Sequence, residues 1–227
     1  MTAQPFELII FDWDGTLMDS AARIVACIQG AINELGWEPR TDAEVRDIIG
    51  LGLLQACTVL YPNRIDAHHQ LAEAYQRRFF DTALAPSVLF AGAHQVLSVL
   101  GEQGYRLAVA TGKSRNGLNT ALRDSGLEPL FETSRCADET RSKPDPLMLH
   151  EILEELDVAA DRALMVGDTE YDLAMAVAAK MPCVGVSYGV HEKQRLLQYR
   201  PLGVIEAINV LPQLLADLAA DKVIACE

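Results

Sequence analysis

Residues 7–20 read ELIIFDWDGTLMDS, and the break inside this stretch decides the fold. Glu7 to Phe11 has the apolar run of a short buried strand, and it stops abruptly at Asp12, Trp13, Asp14, Gly15 and Thr16. Downstream, from about Ser20 to Phe80, the pattern turns helical. Ile24, Ile28, Ile32 and Leu35 keep helical spacing up to Gly36, and further helix-like stretches lie around Val45 to Ile49, Leu53 to Leu60 and Ile65 to Phe80. After Pro86 strands alternate with helices, the strand candidates being Arg106 to Ala110, Ala163 to Val166 and Cys183 to Val186.

This alternation predicts an α/β protein with a doubly wound, Rossmann-like parallel sheet, split after its first strand by an inserted all-helical cap. The expected division is a core of residues 1–16 and 87–227 and a cap of residues 17–86. Gly15 to Asp19 and Ala85 to Phe90 are the expected hinges. The leucine- and alanine-rich tail from Pro212 to Glu227 is expected to pack as a final helix with loose last residues.

Composition narrows the function. The chain has 227 residues, 50% of them hydrophobic, enough for one sizeable core and a smaller subdomain. Its net charge of −13 argues against nucleic acid or an anionic membrane as partner. An anionic substrate then needs local cations, which a metal ion and a few placed lysines supply. No secretory signal or membrane-spanning run is visible, so a cytoplasmic protein is expected. Cys27, Cys57, Cys136, Cys183 and Cys226 are scattered without a C-x-x-C pair, so reduced, mostly buried thiols are expected. A monomer is the expected state, with a dimer as the alternative.

In open α/β sheets, ligands bind beyond the carboxyl ends of the strands, so polar residues at successive strand ends should converge. Four such ends are visible: Asp12 with Asp14, Thr111 with Gly112, Lys143 on the loop before a helix at Asp145, and Asp168 with Asp172. As FDWDGTLMDS, VATGKS, KPDP and VGDTEYD, these residues resemble the four ordered motifs of the haloacid dehalogenase superfamily. The likeness runs from Leu8 to about Val186, with the insertion where that family places a helical cap.

The resemblance implies roles. Asp12 becomes the nucleophile, phosphorylated in passing, and a Mg²⁺ ligand; the Asp14 carbonyl and Asp168 complete the protein ligands, and Asp172 orients a metal-bound water. The Asp14 carboxyl acts as general acid and then general base. Thr111, Gly112 and Lys143 hold the transferring phosphoryl group, and Lys143 also restrains Asp12. The expected substrate is a small phosphorylated metabolite, in the manner of the phosphoglycolate-phosphatase-like branch.

Two relatives fit less well. Phosphonate-cleaving members use a cap lysine, whereas the first lysine here is Lys113, beyond the cap. The β-phosphoglucomutase-like members carry a cap histidine where this chain has Ile24. A sugar phosphomutase and a catalytically silent binding protein stand as the alternatives. TGKS at Thr111 to Ser114 lacks the glycine a nucleotide-binding loop needs at Leu107, and Lys113 is left either facing the substrate or solvated. Gly50 and Gly52 read as a bend in the cap near the substrate. His68 and His69, with Arg23, Arg46, Arg77 and Arg78, read as solvated helix surface.

Overall fold

The computed structural model describes residues 4–81 and 87–224. Strand β1 (Leu8–Phe11) is buried at every position and pairs in parallel on both sides. The chain then passes through β2 (Met18–Asp19) and four helices, α1 (Ala21–Glu34), α2 (Asp42–Asp47), α3 (Leu53–Leu60) and α4 (His68–Phe79). It returns through β3 (Val88–Leu89), α5 (Ala93–Glu102), β4 (Arg106–Thr111), α6 (Arg115–Ser125) and β5 (Thr133–Cys136). The last third runs α7 (Leu147–Leu156), β6 (Ala163–Gly167), α8 (Glu170–Ala178), β7 (Cys183–Val186), α9 (Lys193–Leu197), β8 (Val204–Ile205) and α10 (Leu211–Ile224).

The six-stranded sheet has the order β5-β4-β1-β6-β7-β8 and is parallel throughout. Counted along the core, this is the 3-2-1-4-5-6 order of a doubly wound sheet, whose switch point falls between β1 and β6. The two-residue period of β1 serves both faces. Ile9 and Phe11 pack with Leu97, Leu118 and Leu211 on one side, and Leu8 and Ile10 pack with Met148, Ile152 and Leu173 on the other. Asp12 follows at once, its amide donating to the Val166 carbonyl at 2.9 Å, so the strand pairing carries straight into the first residue of the loop.

The helices α1 to α4 have their own core. Ile24, Ile28 and Ile32 of α1 face Leu71, Ala72 and Ala74 of α4, as the four-residue spacing requires. Thr41 and Glu44 form a reciprocal capping box that starts α2. At the base, β2 and β3 pair antiparallel, Met18 with Leu89 and Asp19 with Val88. The two expected hinges therefore meet in one ribbon rather than running as separate linkers, and residues 85–86 of the second hinge lie outside the described residues.

Four strands escaped the sequence pattern. The edge strand β5, TSRC, has only Cys136 buried, so it shows no apolar run; its pairing comes from the backbone of β4. Arg135 on it pairs with Glu151 and Glu155 of α7, which keeps the polar positions satisfied. Strand β8 and the β2–β3 ribbon are two residues long on each side, too short for any period to register. His68 also departs from expectation. It is buried, with its ring on the Tyr61 carbonyl at 2.8 Å and the Thr58 hydroxyl at 3.2 Å, while His69 stays exposed. Arg23 is likewise drawn in, its guanidinium donating to the Phe79 carbonyl at 2.6 Å.

Cys27, Cys57, Cys136 and Cys183 are buried free thiols, and Cys226 lies outside the described residues. Among the described residues no helix is long and apolar enough to cross a membrane.

Candidate active site

The four strand-end groups converge at the switch point. Asp12, Asp14, Thr111, Lys143, Asp168 and Asp172 are all buried. The Lys143 ammonium donates to Asp12 Oδ1 at 2.6 Å and to Asp172 Oδ1 at 2.6 Å. Asp12, Asp168 and Asp172 each offer a carboxylate oxygen within 4.8 Å of the others.

Each carboxylate is held differently. Asp168 accepts from the Thr16 hydroxyl at 3.0 Å and from the Val190 amide at 2.8 Å. Asp172 is the third residue of α8 and closes a capping box with Thr169, its Oδ2 accepting from the Thr169 amide at 3.1 Å and hydroxyl at 2.7 Å. It is thus a helix-starting acid and a partner of Lys143 at once. Asp12 Oδ2, by contrast, is buried and has no hydrogen-bond partner among the described residues. A buried, unpaired carboxylate oxygen costs too much to stand without a ligand.

The electrostatics point the same way. Burial pushes the Asp12 carboxyl up to about 7, although Lys143 beside it pulls the other way. Burial, then the neighbouring Asp12 and Asp172, push Asp168 well above the usual carboxylate range. Burial opposes the charge on Lys143, and Asp12 and Asp172 together more than restore it, so its pKa is raised. With all three carboxylates ionised against one ammonium, the buried cluster would carry two uncompensated negative charges. An oxygen donor set with that deficit suits a divalent hard cation.

Gly15 shows why its side of the site is closed to a side chain. Its φ is +88°, and a Cβ there would sit 2.1 Å from Asp168 Oδ2.

Asp14 sits one step outward. Its carboxylate accepts from the Ser20 hydroxyl at 2.6 Å and from the Lys113 ammonium at 3.1 and 3.0 Å. Lys113 is therefore a site residue, which the sequence left undecided. The strand end of β4 supplies its position: Thr111 Oγ1 accepts the Lys113 amide at 3.2 Å. Ser20 and Thr16 were missed as well, although both lie in the same DWDGTLMDS stretch as Asp12.

The cap closes over this cluster. A Cβ on Gly112 would meet the Gly50 carbonyl at 2.5 Å and the Leu51 carbonyl at 2.6 Å, so the loop of the cap rests directly on the β4 end. The Gly52 amide donates to the Ser142 hydroxyl at 2.8 Å. On the other side Asp47 of α2 pairs with Arg195 of α9, which also pairs with Glu170 at 2.5 Å. The Asp47 carbonyl accepts from the Tyr171 hydroxyl at 2.9 Å and faces His191 Nε2 at 3.3 Å. Since His191 Nδ1 accepts the Glu170 amide at 3.1 Å, its Nε2 is the donor, and burial lowers its pKa in keeping with a neutral ring. Between cap and core lies a cavity of about 620 Å³, with Asp12, Asp14, Thr111 and Lys113 in its wall.

A buried acidic cluster at the switch point of a parallel sheet, roofed by a helical insertion, is the layout of a capped hydrolase. The chain belongs to the haloacid dehalogenase-like hydrolase family, whose model matches residues 9–186. Among its relatives, a probable phosphatase, IndB, of Dickeya dadantii is 33% identical over 207 residues, covering 89% of this chain and 90% of that one. A phosphoglycolate phosphatase of Rhodospirillum rubrum is 33% identical over 191 residues, covering 80% and 79%. The crystal structure of a predicted phosphatase from Clostridium acetobutylicum superposes with a TM-score of 0.85 at 23% identity, covering 93% and 99%, a likeness of fold.

Proposed function

We propose that this enzyme is a magnesium-dependent phosphatase that hydrolyses a small organic phosphate monoester through an aspartyl-phosphate on Asp12. The observation that carries the reading is the state of Asp12: fixed at the end of β1, held through Oδ1 by Lys143, with Oδ2 buried and unpartnered among the described residues. The names of the relatives as phosphatases support it.

Asp12, Asp168 and the Asp14 carbonyl would hold Mg²⁺, with Asp172 behind them ordering a water. When bound, the ion supplies the positive charge that lets an anionic phosphate approach an anionic carboxylate. The residues do the rest. Asp12 attacks phosphorus, the bond from phosphorus to the alcohol oxygen breaks, and Asp14 gives that oxygen its proton. Asp14 then takes a proton from the water that attacks the aspartyl-phosphate, and inorganic phosphate leaves with Asp12 restored. Lys143, Thr111 and the amides at Gly112 hold the phosphoryl oxygens, where negative charge is spread in the transition state.

The same reading places the enzyme in the cytoplasm as a monomer, with a small metabolite rather than nucleic acid or membrane as partner. The mutase alternative lacks its histidine, since Ile24 stands in the cavity wall. The test is phosphate release from a panel of esters that includes phosphoglycolate, with and without Mg²⁺, beside Asp12→Asn. Metal-dependent release lost in Asp12→Asn supports the reading; a folded protein that turns over nothing sinks it.

A further inference from the structure

We propose that the ester this enzyme takes has an uncharged, largely apolar leaving group housed by the cap, and that a carboxylate-bearing ester such as phosphoglycolate is a poor substrate. This rests on the phosphatase reading above and concerns what lies on the far side of the ester oxygen.

The cavity has two unlike halves. Its floor is Asp12 and Asp14 with Thr111 and Lys113. Its roof is mostly apolar: Ile24 and Ile28 from α1, Ile49 and Leu51 from the loop before α3, and Tyr75 and Phe79 from α4, with Gln55, His69 and Gln76 as its polar side chains. At about 620 Å³ the space far exceeds what a two-carbon acid needs and falls in the range of organic ligand sites.

Among the described residues a second anion finds no lysine or arginine in the wall beyond Lys113. Among the described residues the cap sends no lysine or arginine into the cavity wall; its charged contribution is Glu73, an acid at the exposed mouth. The core adds Asp138, also acidic. Lys113 is the one cation of the described wall, and it is already paired with Asp14 at 3.0 Å and rests 4.7 Å from the Phe79 ring centre. Arg23 lines the neighbouring pocket and donates to the Phe79 carbonyl. A carboxylate in this roof would trade its water for the side-chain amides of Gln55 and Gln76 and the His69 ring, beside the two acids Glu73 and Asp138, whereas each methylene buried there gains about fourfold in binding.

The experiment is a series of ethyl, butyl and hexyl phosphates set against phosphoglycolate, with unaltered enzyme and Mg²⁺. The alkyl esters share one leaving-group basicity, so any trend in kcat/KM reports contact with the roof. The expected result is a rise of about threefold to fourfold per methylene, hexyl phosphate exceeding phosphoglycolate at least tenfold, and a flattened series in Ile28→Ala. Metal-dependent turnover with a flat series, or with phosphoglycolate preferred, overturns the inference and leaves the phosphatase reading intact. Turnover of no ester overturns both. Because the series is measured on the unaltered protein, its outcome does not depend on how the variant folds.

Discussion

Lys113 Nζ stands 3.0 Å from Asp14 Oδ2, a contact between residues far apart in the chain and both largely shielded from water. The same ammonium lies 4.7 Å from the centre of the Phe79 ring, so one core side chain touches the proposed proton donor and the cap together.

Lys113→Met keeps the length of the side chain and removes its charge. Among the described residues Asp14 then retains the Ser20 hydroxyl as its hydrogen-bond partner, and the cap loses its cationic contact at Phe79. Both kcat and kcat/KM are expected to fall roughly tenfold to a hundredfold, the scale of a general acid that is present but badly placed. Mg²⁺ affinity should stay as it was, which steady-state kinetics with a metal titration will check. A variant with unaltered kcat would remove Lys113 from the site.

The buried acidic cluster predicts how metal and pH act together. Burial raises Asp12 from 3.8 to about 7, so the folded protein holds that proton more tightly than the unfolded chain does. Its contribution to stability is therefore present below about pH 4 and is lost as pH rises through 7. Mg²⁺ competes with the proton for the same carboxylates. Melting curves should show little stabilisation by Mg²⁺ at pH 5 and a clear one at pH 8, about 2.7 kcal/mol at a hundredfold excess over Kd. A pH-independent gain would contradict the arrangement.

Gly112→Ala places a Cβ against the carbonyls of Gly50 and Leu51, at 2.5 and 2.6 Å, and neither backbone group can rotate away. The cap loop has to lift. A drop of about a hundredfold in kcat/KM is expected, the cost of displacing groups around the reacting centre by an ångström. Gly101→Ala, with nothing within 4 Å of the added carbon, serves as the control and should change nothing. Equal kinetics in the two variants would mean that cap contact at Gly112 has no part in turnover.

Arg195→Ala removes the ion pairs that join Asp47 of the cap to Glu170 of the core. Both partners of the Asp47 pair are partly exposed, so the loss is modest, about 1 kcal/mol or less. Hydrogen exchange along α2 should quicken and KM should rise up to about fivefold, while the Tyr171 and His191 contacts to the Asp47 carbonyl keep the cap seated. Unaltered exchange in α2 would show that the pair holds nothing.

Much of this was legible before any coordinates. The apolar run of Leu8 to Phe11 ending at Asp12 marks the central strand and its acidic end, because a strand buried on both faces leaves a run with no polar interruption. Ile24, Ile28 and Ile32 mark α1 by their spacing. Strand β5 could not be read, since TSRC carries a single buried residue and takes its extended form from pairing with β4. His68 was misjudged because a helical period does not say what lies behind the helix start, and the Tyr61 carbonyl lies there.

The sequence alone determined the class of fold and the acidic strand ends, since both follow from local period and from where apolar runs stop. Only the tertiary structure decided which of those groups meet: Lys143 with both Asp12 and Asp172, Lys113 with Asp14, and the isoleucines of α1 with the loop at Gly50 over a single cavity. Side chains on separate strands and helices are brought together by the order in which the sheet is wound and by the cap folding back upon it. No periodicity along the chain records that distance.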